Sequence, residues 1–279
     1  MAVAEPAASK TRRTAPPVAT YTVSSFNVLG SSHTKPGGKR AVGTTRIVWA
    51  KQLLDRRHVD VVGFQELQPD QAEKFAAITG DTWAMWPGLP DWEEGMSEAG
   101  WRKRDSENSV AWRTDTFERV DASFVTIPYF NGNERRMPVV LLRHKATGLL
   151  AYFSNFHNPA YASNQKRRDE AKARQIAMVN RLAPTGLPVF ITGDMNEREE
   201  YFCTMVAGAP VKAANGGRYR DGVCTPPPKP MPVNWILGLK KRGTFSNYVR
   251  DDSRLVNRIT NHFVIRADVT IDPATVLAR

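Results

Sequence analysis

The sequence predicts an α/β fold, one domain in which a few helices cover a strand-rich core. Three observations carry this expectation. Strand-like segments outnumber helical ones. Several, such as 59-VDVVGFQE-66 and 187-LPVFITGD-194, are apolar without alternation and so suit strands buried on both faces. No internal repeat or shift in composition divides the 279 residues.

Residues 1–19 are rich in Ala, Pro and basic side chains and lack the apolar core of a secretory signal. They read as a flexible basic arm, with 20–279 as the single folded domain. The β-branched and aromatic run 20–28 reads as a strand, followed by a Gly-rich basic loop, 30-GSSHTKPGGKRAVG-43. Ile47, Ala50, Leu53 and Leu54 recur at helical spacing over 44–57. A buried strand at 59–66 precedes a short helix at 69–79 that Pro69 opens.

The stretch 81–106 reads as a strand and then a long irregular loop holding Trp83, Trp86, Trp92 and Trp101, taken as core and loop anchors. Strands follow at 108–113, 117–127, 137–145 and 149–157. A basic helix at 165–183 keeps Ile176, Val179 and Leu182 on its apolar side and turns a solvated charged face outward. Then come a buried strand at 187–194, a helix at 197–207 and a Gly/Pro-rich loop over 208–232. Three strand-like pieces, 233–237, 244–249 and 260–271, complete the chain.

Lys plus Arg number 39 and Asp plus Glu 28, a net charge of +11 that suits an acidic partner such as nucleic acid or anionic lipid. A hydrophobic content of 41% argues against wholesale disorder. No apolar run reaches the roughly 18 residues of a membrane-spanning helix. Two cysteines are too few for a disulfide scaffold or a four-thiolate zinc site. Cys203 and Cys224 are expected to be free thiols in a cytoplasmic protein, with a single bridge as the alternative for an exported one.

The chemistry gathers at strand ends. Asn27, Glu66, Asp194 and Asn196 each follow a buried apolar run, where an unpaired carboxylate is not tolerated. Together they point to one polar site at one edge of the sheets. Such oxygen ligands suit Mg²⁺, Mn²⁺ or Ca²⁺ rather than zinc. His157 and His262 stand at a strand end and a strand start and can move protons near neutral pH. Charge neutralisation, an activated water and a protonated leaving group are what phosphate-ester hydrolysis needs. His33, His58 and His144 lack such support and read as surface or packing residues.

The ordered series SFNVLG, VVGFQELQ, NSVAWR, NFHNPA, ITGDMNE, VNWIL and TNHFVI resembles the endonuclease/exonuclease/phosphatase superfamily, the fold of deoxyribonuclease I, over roughly 20–271. The resemblance implies a four-layer sandwich, two packed mixed β-sheets flanked by helices, and metal-dependent cleavage of phosphodiesters or phosphomonoesters. By the same resemblance Glu66 and Asn27 hold the metal, Mg²⁺ or Mn²⁺. Asp194 orients the attacking water, Asn196 holds the phosphate, and His157 and His262 are catalytic. Asn108 is expected beside the substrate.

Two positions depart from the pattern. Where the family carries aspartates, the sequence has Asn234 in 234-NWI-236 and Asn261 in 260-TNH-262. These two amides are assigned to substrate binding. An amide keeps the shape but not the charge, so the histidine expected to pair with Asn234 loses its acid. Three readings stand. The first is a monomeric DNase-like nuclease, attenuated by the two asparagines, acting on DNA rather than RNA. The second is a phosphoesterase on lipid or small phosphate esters. The third is an inactive binding module of the same fold.

Overall fold

In the computed structural model, residues 17–88 and 106–277 are described. Most of the basic arm, together with Trp92 and Trp101, lies outside the described residues.

Two six-stranded sheets form the centre of the molecule. The first contains β1 (Ala19–Asn27), β2 (Val61–Gln65), β3 (Trp83–Trp86), β4 (Val110–Arg113), β13 (Thr244–Asp251) and β14 (Val264–Ile271), in the order β13-β14-β1-β2-β4-β3. The second contains β5 (Phe117–Pro128), β6 (Glu134–His144), β7 (Leu150–His157), β8 (Val189–Asp194), β9 (Val211–Ala213) and β12 (Asn234–Leu239), in the order β5-β6-β7-β8-β12-β9. A small hairpin, β10 (Arg218–Arg220) with β11 (Val223–Thr225), stands apart.

Each large sheet is mixed. β1 and β2 run parallel, as do β7 and β8, and each pair is joined through a helix. These are α1 (Gly43–Arg56) and α3 (Gln165–Leu182). A parallel pair needs such a crossover. Both pairs carry their C-terminal ends, Asn27 and Gln65 in one and His157 and Asp194 in the other, to register positions opposite each other.

The layering follows the apolar pattern. Ile47, Ala50, Leu53 and Leu54 of α1, Phe75 of α2 (Pro69–Thr79), and Val256 and Ile259 of α5 (Arg254–Ile259) pack on the outer face of the first sheet. Met178 and Val179 of α3, with Tyr201, Phe202 and Met205 of α4 (Glu199–Gly208), cover the second sheet. Between the sheets lie Tyr21, Val61, Trp112, Phe153, Phe190 and Ile236. Each such side chain contributes about 1.5–3 kcal/mol when fully buried. The four-layer sandwich expected from the resemblance is therefore the observed architecture. Trp83 and Trp86 are buried, as expected of core residues. A last short helix, α6 (Pro273–Leu277), closes the described chain.

Near the strand ends the sheets close through a polar seam. Gln65 Nε2 donates to Asn155 Oδ1 at 2.6 Å, and the Gly193 N–H donates to Ser25 Oγ at 3.0 Å. Gly63 lets the layers approach, since a Cβ there would overlap Thr192 Oγ1 and Asn155 Oδ1.

Several local expectations are corrected. The 208–232 loop contains β9, β10 and β11. The strand expected over 260–271 begins at Val264 and follows the short helix α5, so His262 lies in the turn between them. Asn108 sits in a 3₁₀ turn, Ser106–Asn108, before its strand. Cys203 and Cys224 form a disulfide with their Cα atoms 5.6 Å apart, because β11 brings Cys224 against α4. Arg168 and Lys172 are buried rather than part of a solvated helix face. No helix among the described residues is long and apolar enough to cross a membrane.

Candidate functional site

The two parallel strand pairs deliver four of the candidate residues. Asn27 ends β1, Glu66 follows β2 in a left-handed backbone conformation (φ 59°), His157 ends β7 and Asp194 ends β8. A positive φ is uncommon outside glycine, and here it turns Glu66 away from the strand at the sheet edge.

Asn27 links the two sheets' acids. Its Nδ2 donates to Glu66 Oε1 at 2.8 Å and to Asp194 Oδ2 at 3.1 Å, while its Oδ1 accepts from the Leu29 N–H at 2.9 Å. Glu66 Oε2 accepts from the Gly30 N–H at 2.9 Å and lies 3.4 Å from His33 Nε2. Burial pushes the Glu66 carboxyl pKa up. The positive field of His157, the Asn27 amide, the Gly30 N–H and His33 outweigh burial, and the carboxyl sits below its usual range.

Asp194 is fully buried. Its Oδ1 accepts from the Asn196 N–H at 3.0 Å, and its Oδ2 lies 3.2 Å from His262 Nδ1. The acid beside His262 is therefore Asp194. Asn234, expected to be the partner of this histidine, instead faces Asp194 across the β12–β8 register. Its buried Nδ2 has no hydrogen-bond partner among the described residues. Asp251 pairs with Arg57 rather than with His262.

The remaining candidates border this cluster. Asn196 takes a left-handed conformation (φ 51°), and its Nδ2 donates to the Asn158 carbonyl at 2.8 Å. His157 Nδ1 lies 3.4 Å from the Tyr129 hydroxyl. Burial, with the acids Glu66, Glu107 and Asp194, raises the Tyr129 pKa far above its usual value, so the hydroxyl stays protonated and able to donate. Asn108 is buried, with Oδ1 unpartnered among the described residues. Asn261 is exposed and lines a cleft of about 510 Å³ together with His33.

Three contributions escaped sequence reasoning. His33 is a surface residue, as expected, and its Nε2 reaches Glu66 from the Gly-rich loop. Tyr129 lies in the turn between β5 and β6, far in sequence from His157. Glu197, next to Asn196, is buried with Lys172 Nζ 2.9 Å from its Oε2 and Arg168 Nε 3.4 Å from its Oε1. The one sequence signal for the last set was an acid directly after the Asp-Met-Asn turn, with cations on a helix otherwise packed against the sheet.

The donor chemistry limits what cation can sit here. Among the described residues no group of three or more His, Cys, Asp or Glu is placed to hold a metal. A magnesium-class ion keeps most of its water and takes one or two carboxylates. Glu66 fits that requirement, whereas Asn27, expected as a second ligand, turns its Nδ2 donor toward both acids and its Oδ1 to the Leu29 N–H, and so positions Glu66.

The fold and this strand-end site define a two-sheet α/β sandwich with a polar cluster at one sheet edge. The chain belongs to the Endonuclease/Exonuclease/phosphatase family, whose model matches residues 24–238. It is similar in fold to an endonuclease/exonuclease/phosphatase family protein from Bacteroides thetaiotaomicron, at 16% identity and TM-score 0.70, covering 92% of this chain and 97% of that one. It is similar to a mannosyl-6-phosphatase from the same organism, at 17% identity and TM-score 0.66, covering 89% and 99%. It is also similar to D. rerio TDP2 complexed with a single strand DNA product, at 14% identity and TM-score 0.61, covering 90% and 98%. The search of curated proteins found no match.

Proposed function

We propose that the chain is a metal-dependent phosphodiesterase that hydrolyses nucleic acid, DNA in preference to RNA. The observation that carries the reading is Asn27, which hydrogen-bonds at once to Glu66 and Asp194 and so joins a cation-binding carboxylate to a histidine-paired one. A cation held by Glu66, with Asn27 orienting that carboxylate, would supply charge neutralisation at a phosphate oxygen. The net charge of +11 supports a polyanionic substrate, as does the single strand DNA product in the TDP2 relative.

The residues divide the remaining work. Asp194 orients the attacking water and takes up its proton as the new P–O bond forms; as the bond to the leaving oxygen breaks, a histidine of the pair His157 and His262 returns a proton to that oxygen. His262, held through Nδ1 by the same carboxylate, keeps its Nε2 for the phosphate. Asn196, fixed through Asn158, and His157, fixed through Tyr129, donate to the oxygens where charge develops. Asn108 Oδ1 and Asn234 Nδ2 are unpartnered among the described residues but closed off from solvent, and substrate reaches them only if the site opens.

A plasmid-nicking assay with Mg²⁺ or Mn²⁺ tests the reading. Cleavage is expected to be abolished by EDTA and by Asp194→Ala. Glu66→Gln is expected to lower the rate on the order of 100-fold and to raise the Mg²⁺ concentration needed. No EDTA-sensitive cleavage across metals and pH would overturn it. A second reading, hydrolysis of small phosphate esters, is favoured by the fold shared with the mannosyl-6-phosphatase. It wins if sugar phosphates are turned over faster than oligonucleotides. Binding of oligonucleotide without turnover of either substrate favours the inactive module instead.

A further inference from the structure

The loop between β1 and α1 reaches Glu66 through Gly30 and His33, and the rest of it is built as well. Arg46 of α1 is fully buried beneath it and has no carboxylate partner among the described residues. Its guanidinium instead donates to the carbonyls of Ala41 (2.9 Å), Val28 (2.5 Å), Ile259 (2.9 Å) and Gly30 (3.3 Å), and to Thr34 Oγ1 (3.3 Å). Both ends of the loop are thereby tied to one side chain. Burial, and then repulsion from Arg40, lowers the Arg46 pKa.

The fixed loop presents cations to the cleft of about 510 Å³, whose lining includes His33, Lys35, Lys39, Arg40 and Asn261. Lys35, Lys39 and Arg40 have no ion-pair partner among the described residues, and the buried Arg40 Nε has no hydrogen-bond partner among them either. The nearby acids are already engaged: Asp70 accepts from Ser31 Oγ at 2.6 Å, and Glu66 faces Asn27, Gly30 and His33. Convergent cations without acids, in a cleft whose His33 touches the Glu66 carboxylate, call for an anion that continues away from the catalytic centre.

We propose that this cleft is a second phosphate site, binding a phosphate of the substrate strand next to the one being cleaved through Lys35, Lys39 and Arg40. The inference rests on the nucleic-acid reading and narrows it. The preferred substrate carries at least two linked phosphates, and one passes over the 33–40 loop. Small diesters with a single phosphate use only the Glu66–Asp194 centre.

The test compares the full chain with two variants. One is Lys35→Ala/Lys39→Ala/Arg40→Ala. The other is the milder Lys35→Ala/Lys39→Ala, which changes exposed side chains only. Binding of a fluorescent single-stranded hexanucleotide is measured by anisotropy, with EDTA present, over a series of salt concentrations. Hydrolysis of bis(p-nitrophenyl) phosphate is measured in parallel with Mg²⁺. Affinity for the hexanucleotide is expected to fall at least tenfold in the triple variant. The slope of log K against log salt should lessen by about 2, at roughly 0.7 per lost contact on a single strand. Turnover of the single-phosphate diester should stay within twofold. Lys240→Ala/Lys241→Ala, just beyond the far end of β12, should leave both measurements unchanged. Unchanged hexanucleotide affinity, or an equal loss in the Lys240/Lys241 variant, would overturn the proposal. So would a parallel fall in diester turnover. Because the binding arm needs no catalysis, failure of the hydrolase reading shows separately, as no diester turnover in the unaltered protein.

Discussion

His262 Nδ1 lies 3.2 Å from Asp194 Oδ2, so the histidine that follows α5 is paired with the carboxylate that ends β8. The loss of an aspartate at position 234 therefore does not leave this histidine without an acid. Asn234→Asp is expected to change kcat by less than tenfold, because His262 already has its carboxylate. Asp194→Asn removes that partner and the acceptor for the attacking water together. It is expected to lower kcat on the order of 10⁴-fold, by analogy with replacing the histidine's aspartate in serine proteases. Single-turnover hydrolysis of an oligonucleotide by the two variants gives both values. A large gain from Asn234→Asp would show that Asp194 does not serve His262.

The Cys203–Cys224 bridge closes a segment with a sequence separation of 21, containing β9, the β10–β11 hairpin and the C-terminal part of α4. Chain-entropy arguments give about 3 kcal/mol for a loop of this length. Cys203→Ser/Cys224→Ser should lower the free energy of unfolding by roughly that amount, measured as a fall in the urea midpoint. A reductant should shift the unaltered protein in the same direction and leave the double variant unmoved. Such a bridge persists in oxidising surroundings. Protein purified without reductant is expected to show no free thiol until unfolded and reduced.

Asp251 ties three elements together. Its carboxylate ends β13, accepts from the Ser253 N–H at 2.9 Å ahead of α5, and meets Arg57 Nη2 at 2.9 Å just past α1. Burial pushes its pKa up, but the Ser253 donors and Arg57 outweigh it and leave it below the ordinary carboxylate value. A pKa lowered on folding contributes stability that is present above the unfolded-state value and lost as the pH falls through the folded one. Asp251→Asn should therefore destabilise by about 1–3 kcal/mol near neutral pH. The gap to the unaltered protein should narrow as the pH is lowered toward about 3. Urea midpoints across that range check the sign.

What the sequence made legible follows from how local each cue is. Asn27, Glu66 and Asp194 could be placed at strand ends because a polar residue closing a buried apolar run is visible in a few letters. The β1–α1–β2 and β7–α3–β8 units were readable for the same reason, from the change of period between strand and helix. Pairings between distant segments were not. Which acid meets His262 depends on how β8, β12 and β14 are arranged across two sheets. The contact of His33 with Glu66 depends on a loop that Arg46 holds down from below. Polar character misled where it was buried, since Arg168 and Lys172 look like a solvated face until Glu197 is seen beneath them.

That buried set makes the sharpest prediction about the site's support. Lys172 and Glu197 are only 4% and 5% exposed at their side chains, and their charged atoms are 2.9 Å apart. Gln165 Nε2 adds a 2.6 Å hydrogen bond to Glu197 Oε1, and the Glu197 carbonyl accepts from Trp235 Nε1 at 2.9 Å. The backbone of Glu197 is thereby fixed, and with it the adjacent Asn196. Removing one member of a buried pair leaves the other charge unpaired and costs about 3–5 kcal/mol, whereas replacing both by apolar groups is often near neutral. Lys172→Met should lower the urea midpoint sharply, because Arg168 at 3.4 Å is a poorer substitute for the ammonium. Lys172→Met/Glu197→Met should recover only part of that stability, because buried Arg168 then loses its carboxylate. The double variant should nevertheless hydrolyse oligonucleotide more slowly than the unaltered protein, since the acid that anchors the turn at Asn196 is gone. A double variant less stable than Lys172→Met would show that Glu197 neutralises Arg168 more than Lys172.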